Sequence, residues 1–131
     1  MSSFITDLAT YIATNTSLTL NTDIFAGGYL TTSPQQAVAV TYTESTERIE
    51  SGLVSETVRV LVRSTSYNSA RTLAYTIYDL IKNSYGIKLS NVGDGHTIKS
   101  HEFISTPYLL ARDRHLFMFA VDFRVNRSEG Y

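Results

Sequence analysis

The sequence contains no cysteine, only two prolines and few charged residues. Without cysteine the chain has no disulfide framework and no cysteine-based zinc site. Charged residues make up 18% of the chain, below the usual quarter, and Ser, Thr, Asn and Tyr fill the difference. Hydroxyls and amides cost less to desolvate than Lys and Glu, so this composition suits a surface that is covered by partners.

The few charges that are present nearly cancel, since the formal net charge is −1. A dedicated nucleic-acid binder usually has a basic balance, because phosphate neutralisation supplies much of its affinity. No apolar run approaches the ~18 residues of a membrane span. Asp7 lies where a secretory signal would carry a basic cluster, so we expect no such leader.

Length and hydrophobicity favour one folded unit. The 131 residues fit a single domain, and 43% of them are hydrophobic, which argues against wholesale disorder. We therefore expect one α+β domain over residues 1–131 with one hydrophobic core.

Helical periodicity appears twice. Phe4, Leu8, Tyr11 and Ile12 recur at helical spacing and predict a helix over Ser3–Thr14. A second helix is predicted over Tyr67–Ser84, with Ser66 or Asn68 as its N-cap and Gly86 just past its end. The apolar stripe of this second helix consists of Ala70, Leu73, Ala74, Ile77, Leu80 and Ile81.

Alternating apolar residues predict the strands. They are expected over Ala37–Thr43, Leu53–Ser64, His96–Ser105 and Leu116–Arg127. Between the two helical patterns, Leu18–Ser33 is irregular and fits a short strand or loop. Pro107 and the corner Arg112–Arg114 are expected to interrupt the chain between the last two strands. The order of these helices and strands along the chain predicts an antiparallel or mixed sheet with both helices on one face.

The same periodicities select a core from one face of the sheet and the inner stripes of both helices. The expected core residues are Leu8, Ile12, Val38, Val40, Val60, Leu73, Ile77, Leu80, Ile81, Phe119 and Val121.

The segment Glu44–Gly52 is the densest charge run in the chain and has one clear apolar residue, Ile49. It lies between two strands that a two-residue turn could have joined. Such extra length fits either a partner-binding hairpin arm or a plain mobile loop. We expect the segment from Thr43 to Gly52 to order only against a neighbour.

Catalytic and metal-binding patterns are weak. His96 and His101 are five residues apart on one strand and should point to opposite faces, while His115 is remote in sequence. No Gly-x-Ser-x-Gly elbow is present, and the segment after Gly93-Asp94-Gly95 reads as a strand rather than the helix of a phosphate loop. We expect no enzyme activity, no cofactor and no metal.

Several pieces in order resemble the tail terminator (minor capsid, tail completion) proteins of long-tailed bacteriophages. They are the helix Phe4–Ile12, the loop with Pro34 leading into Ala37–Val40, and the aromatic strand Phe117–Arg124. The most specific piece is the strand VRVLVR followed by the helix ARTLAYTIYDL, in residues 58–63 and 70–80.

The resemblance implies a structural virion protein made in the host cytoplasm and located at the head–tail interface. It implies a ring, commonly of six copies, that caps the tail tube and joins the tail to the head. The implied partners are a second copy, the tail tube protein and a head-completion or connector protein. A membrane or a specific nucleic-acid sequence is not among them, although DNA would pass through the ring.

We expect the interface with a neighbouring subunit or the tube to involve the charged arm and the later corner. These residues are Glu44, Glu47, Arg48, Ile49, Glu50, Arg112, Asp113 and Arg114. Alternatives are another particle component (a head-completion stopper or a tail tube protein) and a small α+β ligand-binding or enzymatic domain. That last alternative needs a concave pocket with convergent polar groups.

Overall fold

The computed structural model describes residues 4–27, 36–42, 47–50, 53–84, 97–113 and 115–128. Within these ranges two helices and seven strands follow one another along the chain. They are α1 (Phe4–Thr14), β1 (Ile24–Ala26), β2 (Ala37–Tyr42), β3 (Glu47–Glu50), β4 (Leu53–Ser64), α2 (Tyr67–Lys82), β5 (Ile98–Phe103), β6 (Tyr108–Asp113) and β7 (Leu116–Ser128).

The seven strands form one sheet in the order β1-β2-β4-β7-β5, with β3 also paired to β4 and β6 to β7. The β1–β2 pair is parallel and the other pairs are antiparallel. The sheet is therefore mixed, and the expected α+β class with its mixed alternative is confirmed.

Two long antiparallel strands, β4 and β7, run the length of the sheet. They pair continuously from Leu53 opposite Ser128 to Ser64 opposite Phe117. At ~3.3 Å per residue these strands are about 40 Å long. Going from Ser64 to Leu53, the side of β4 that faces away from β7 pairs first with β2 and then with β3. Going from Ser128 to Phe117, the side of β7 that faces away from β4 pairs first with β5 and then with β6.

Both helices pack on one face of the sheet, as expected, because the core cluster joins their inner stripes to alternate residues of the central strands. Nine of the expected core residues are fully or almost fully buried: Leu8, Ile12, Val38, Val40, Val60, Ile77, Ile81, Phe119 and Val121. Phe4, Val58, Val62, Phe123 and Val125 extend the same cluster.

The prediction of which α2 residues face the sheet was wrong at two positions. The buried line of α2 is Ala70, Ala74, Ile77 and Ile81, whereas the predicted core residues Leu73 and Leu80 are only partly buried at its margins.

The start of α2 follows the sequence signal. Ser66 has an extended backbone, and its hydroxyl accepts a hydrogen bond from the Ser69 amide at 3.3 Å. The helix ends at Lys82, and the amide of Asn83 donates to the Asp79 carbonyl. Gly86, the predicted cap residue, lies outside the described residues.

One strand was missed. Tyr108–Asp113 was expected to be an interruption but forms β6, which pairs with β7 and includes Arg112 and Asp113 of the predicted corner. Pro107 does not prevent this strand, because it lies just before the first residue and need not donate to the ladder. The irregular segment before Pro34 contributes a short strand, β1.

The charged arm is in part a strand. Glu47 lies opposite Ser55 and Arg48 opposite Val54, with a register shift between Arg48 and Glu50. The expectation that these residues order only against a neighbour is therefore wrong for Glu47–Glu50. They order within the single chain because β4 extends beyond β2 and offers them a ladder. Glu44 lies outside the described residues.

Candidate assembly surfaces

A polar cluster joins three strands on the sheet face opposite the helices. Arg59 of β4 lies directly across from Asp122 of β7. Its guanidinium donates from Nε to Asp122 Oδ1 at 2.8 Å and from Nη2 to Oδ2 at 3.1 Å. The hydroxyl of Tyr108, from β6, donates to Asp122 Oδ2 at 2.7 Å. The two-pronged geometry holds the carboxylate in one orientation and ties β6 to the centre of the sheet.

The contacts in this cluster favour its charged form. Burial raises the pKa of Asp122, but the hydrogen bonds from Arg59 and Tyr108 outweigh it and leave that pKa below its ordinary value. The hydrogen bond to Asp122 raises the pKa of Tyr108, and it also raises the pKa of Arg59. Asp122 is thus a stable anion and a poor general base near neutral pH, so the cluster suits structure better than proton transfer.

A second ion pair lies on the helix-covered face, near the start of α1. Arg127 of β7 pairs with Glu56 of β4, whose side chain is completely buried. The guanidinium of Arg127 lies 4.9 Å from the centre of the Phe4 ring, a cation–π contact. Burial, together with the neighbouring Glu56 carboxylate, raises the pKa of Tyr42. This cluster closes the end of the core that lies beside the arm.

The described residues offer no evident centre for catalysis. Among them, no three His, Cys, Asp or Glu side chains are grouped so that they could hold a metal ion. A groove of about 470 Å³ between the end of α1 and the start of α2 is lined by residues without a titratable side chain: Thr16, Ser17, Asn68, Ser69, Thr72, Leu73 and Thr76. None of the helices in these ranges is long and apolar enough to cross a bilayer.

The bend after β5 and the strand β6 expose apolar side chains. Ile104 is 61% exposed, Leu109 42% and Leu110 39%. These are three of the five large hydrophobic residues that are exposed in the described ranges. Sequence reasoning missed this patch, although the run Leu109-Leu110-Ala111 beside Pro107 was a signal for it. Grouped exposed apolar residues on a sheet edge are typical of a contact surface.

The structure does not bring together the two predicted groups of interface residues. The arm strand, Glu47–Glu50 with Arg48 and Ile49, lies at the end of the sheet where Leu53 meets Ser128. The hairpin that contains Arg112 and Asp113 lies at the other end, where Ser64 meets Phe117. Arg112 is exposed, with its guanidinium 5.1 Å from the centre of the Phe117 ring. Arg114 lies outside the described residues.

Comparison with known proteins decides the family. The model of a family described as "Bacteriophage tail terminator protein" matches residues 11–128. This chain belongs to the bacteriophage tail terminator family. The match includes the last residues of α1, all of α2 and the seven described strands, so the resemblance seen in the strand–helix block of the sequence is confirmed.

Two other comparisons add little. No curated protein matches the sequence. Among solved structures, a chain in the virion of a native gene transfer agent particle is similar, with 12% identity and a TM-score of 0.49 over 92% of this chain and 84% of that one.

Family membership makes this chain a structural tail component of a phage particle, with its place in the virion. The family is one of structural proteins rather than of enzymes. We therefore interpret the exposed surfaces of this chain as contacts for assembly of the particle.

Proposed function

We propose that the chain, as one α+β domain over residues 1–131, is the subunit of a ring that caps the tail tube and then joins the tail to the head. The family assignment is the observation that carries this proposal. The partners are further copies of the chain, expected to number six, the tail tube protein and a head-completion or connector protein. DNA passes through the ring without being read.

The layout of the sheet supports a ring. A ring needs two different surfaces on each subunit, because a head-to-tail contact joins one patch to another. The arm and the β6–β7 hairpin lie at opposite ends of the sheet and differ in sequence. We assign the interface to Glu44, Glu47, Arg48, Ile49, Glu50, Arg112, Asp113 and Arg114.

Electron microscopy tests this function directly. Purified protein is mixed with tail tubes and imaged in negative stain, with tubes alone as the control. The expected result is tube ends closed by rings of one fixed diameter, and native mass spectrometry should give six copies per ring. Filaments that grow from this protein alone would instead identify a tube protein. Binding to heads without any binding to tubes would identify a head-completion stopper.

A further inference from the structure

The large hydrophobic residues that are exposed in the described ranges lie at two opposite edges of the sheet. The strand order places β1 at one edge and β5 with β6 at the other. Tyr42, the last residue of β2, is 38% exposed near the β1 edge. The other four lie near β6: Tyr67, Ile104, Leu109 and Leu110.

These four residues form one surface, which we call the apolar knob. Leu109 is the strand partner of Phe119, so the two side chains share the helix-covered face of the sheet. The ring of Tyr67, at the start of α2, makes an edge-on contact with the Phe119 ring at 5.3 Å between centres. Tyr67 and Leu109 therefore lie on either side of one buried ring.

The bend between β5 and β6 brings Ile104 to the same place. The Ile104 amide donates to the Asp122 carbonyl at 3.1 Å, and the Tyr108 hydroxyl donates to the Asp122 carboxylate at 2.7 Å. The register of β6 then shifts at Leu110. Because the bend and this bulge interrupt the edge ladder, a neighbour meets side chains here rather than adding a regular strand.

An apolar pocket of about 310 Å³ opens at the opposite edge of the sheet. Its walls come from the start of α1 and the ends of β1 and β2: Ile5, Thr6, Ala26, Gly27, Thr41 and Tyr42. None of these six side chains is charged at neutral pH. The pocket can thus receive an apolar side chain without burying an unpaired charge.

From these observations we propose that the apolar knob of one copy inserts into the pocket of the next copy, with Leu109 as its central side chain. A second copy is the occupant because the two surfaces match in chemistry and lie on opposite edges of one chain. Together they account for every large hydrophobic residue exposed in the described ranges. A patch that fits a pocket elsewhere on the same chain makes a head-to-tail contact, which closes into a ring when the rotation between copies permits.

This contact rests on the proposed ring and names the surfaces that close it. The arm strand β3 pairs with the same side of β4 as β2, so the arm and the pocket lie on one side of the sheet. Arg112 belongs to β6, beside the knob. The two groups of proposed interface residues therefore lie on the two sides that meet.

Disulfide cross-linking tests the contact, because the natural chain has no cysteine. Leu109→Cys, Leu110→Cys and Ala26→Cys are single variants at exposed positions and should fold, which circular dichroism checks. Each variant alone should give no covalent dimer on mild oxidation, because like edges do not meet. Either leucine variant, mixed with Ala26→Cys before rings assemble, should give covalent dimers on non-reducing gels, since a disulfide needs Cα atoms within about 7 Å.

Lys82→Cys, at an exposed position of α2, replaces the leucine variants in the control mixture and should give no dimers. Cross-links within a single-variant sample would show that like edges meet and would overturn the contact. Rings that form while neither leucine mixture cross-links also overturn it, and the proposed function still stands if those rings cap tubes. Cross-linked rings that do not cap tubes overturn only the proposed function.

Discussion

The two faces of the sheet each contain an ion pair between β4 and β7, but in different surroundings. On the helix-covered face the Glu56 side chain is 0% exposed and that of Arg127 10%. On the opposite face Asp122 is 8% exposed, while its partner Arg59 is 31% exposed and remains in contact with water. The same two strands thus hold one pair inside the core and one at its surface. The difference in exposure follows from the helices, which cover only the first of these faces.

The largest effect is expected from breaking the buried pair. Glu56→Ala leaves the Arg127 guanidinium buried without its counter-charge and should lower the free energy of unfolding by about 3–5 kcal/mol. Urea denaturation measures this loss. The double variant Glu56→Ala, Arg127→Met is the control and should recover much of the loss, because neither charge of this pair then remains in the core. A loss below about 1 kcal/mol for Glu56→Ala would mean that water reaches the site.

A smaller loss of stability is expected in α2, and it should be greater for a side chain on the buried line than for one at the margin. Ile77→Ala removes a fully buried side chain and should cost about 2–5 kcal/mol, whereas Leu80→Ala, at the rim of the same helix, should cost less. Thermal melting of both variants checks the order. Equal losses would show that the buried line of α2 is centred between the two residues.

The smallest loss of stability is expected for Asp122, on the sheet face opposite the helices, and it depends on pH. Because the pKa of Asp122 is lower in the folded protein than in the unfolded chain, its contribution is complete above about pH 5 and is lost as the pH falls through the folded-state pKa. Asp122→Asn should therefore cost about 1–3 kcal/mol at pH 7. The difference from the wild type should shrink when urea denaturation is repeated near pH 3. A constant difference would indicate that the carboxylate is not stabilised by Arg59 and Tyr108.

Periodicity predicted the helices and the long strands well, because their apolar residues recur regularly. Val58, Val60 and Val62 alternate with Arg59, Leu61 and Arg63, and the structure buries the valines and leaves the other three half-exposed. The strand β6 was not predicted, because it has a bulge and its leucines are exposed rather than alternating. The strand Glu47–Glu50 lacked a core signal, since its pairing depends on how far β4 extends.

The candidate surfaces were predicted only in part. Sequence reasoning selected the charged arm and the Arg112–Arg114 corner, because dense charge and turn residues indicate exposure. It assigned both groups to a subunit or tube interface without indicating how far apart they lie, since their distance depends on the pairing of β4 with β7. It also missed the Arg59–Asp122 pair, because the two residues are 63 positions apart and meet only through that register.

The helical and strand periods, the α+β class and the family could be predicted from the sequence, since these follow from local spacing and the order of core residues. Which charges meet, and which lie at opposite ends of the sheet, became clear from the folded chain alone, because strand register fixes the distances between remote residues. A shift of one residue would move every side chain of β7 to the other face and break both ion pairs.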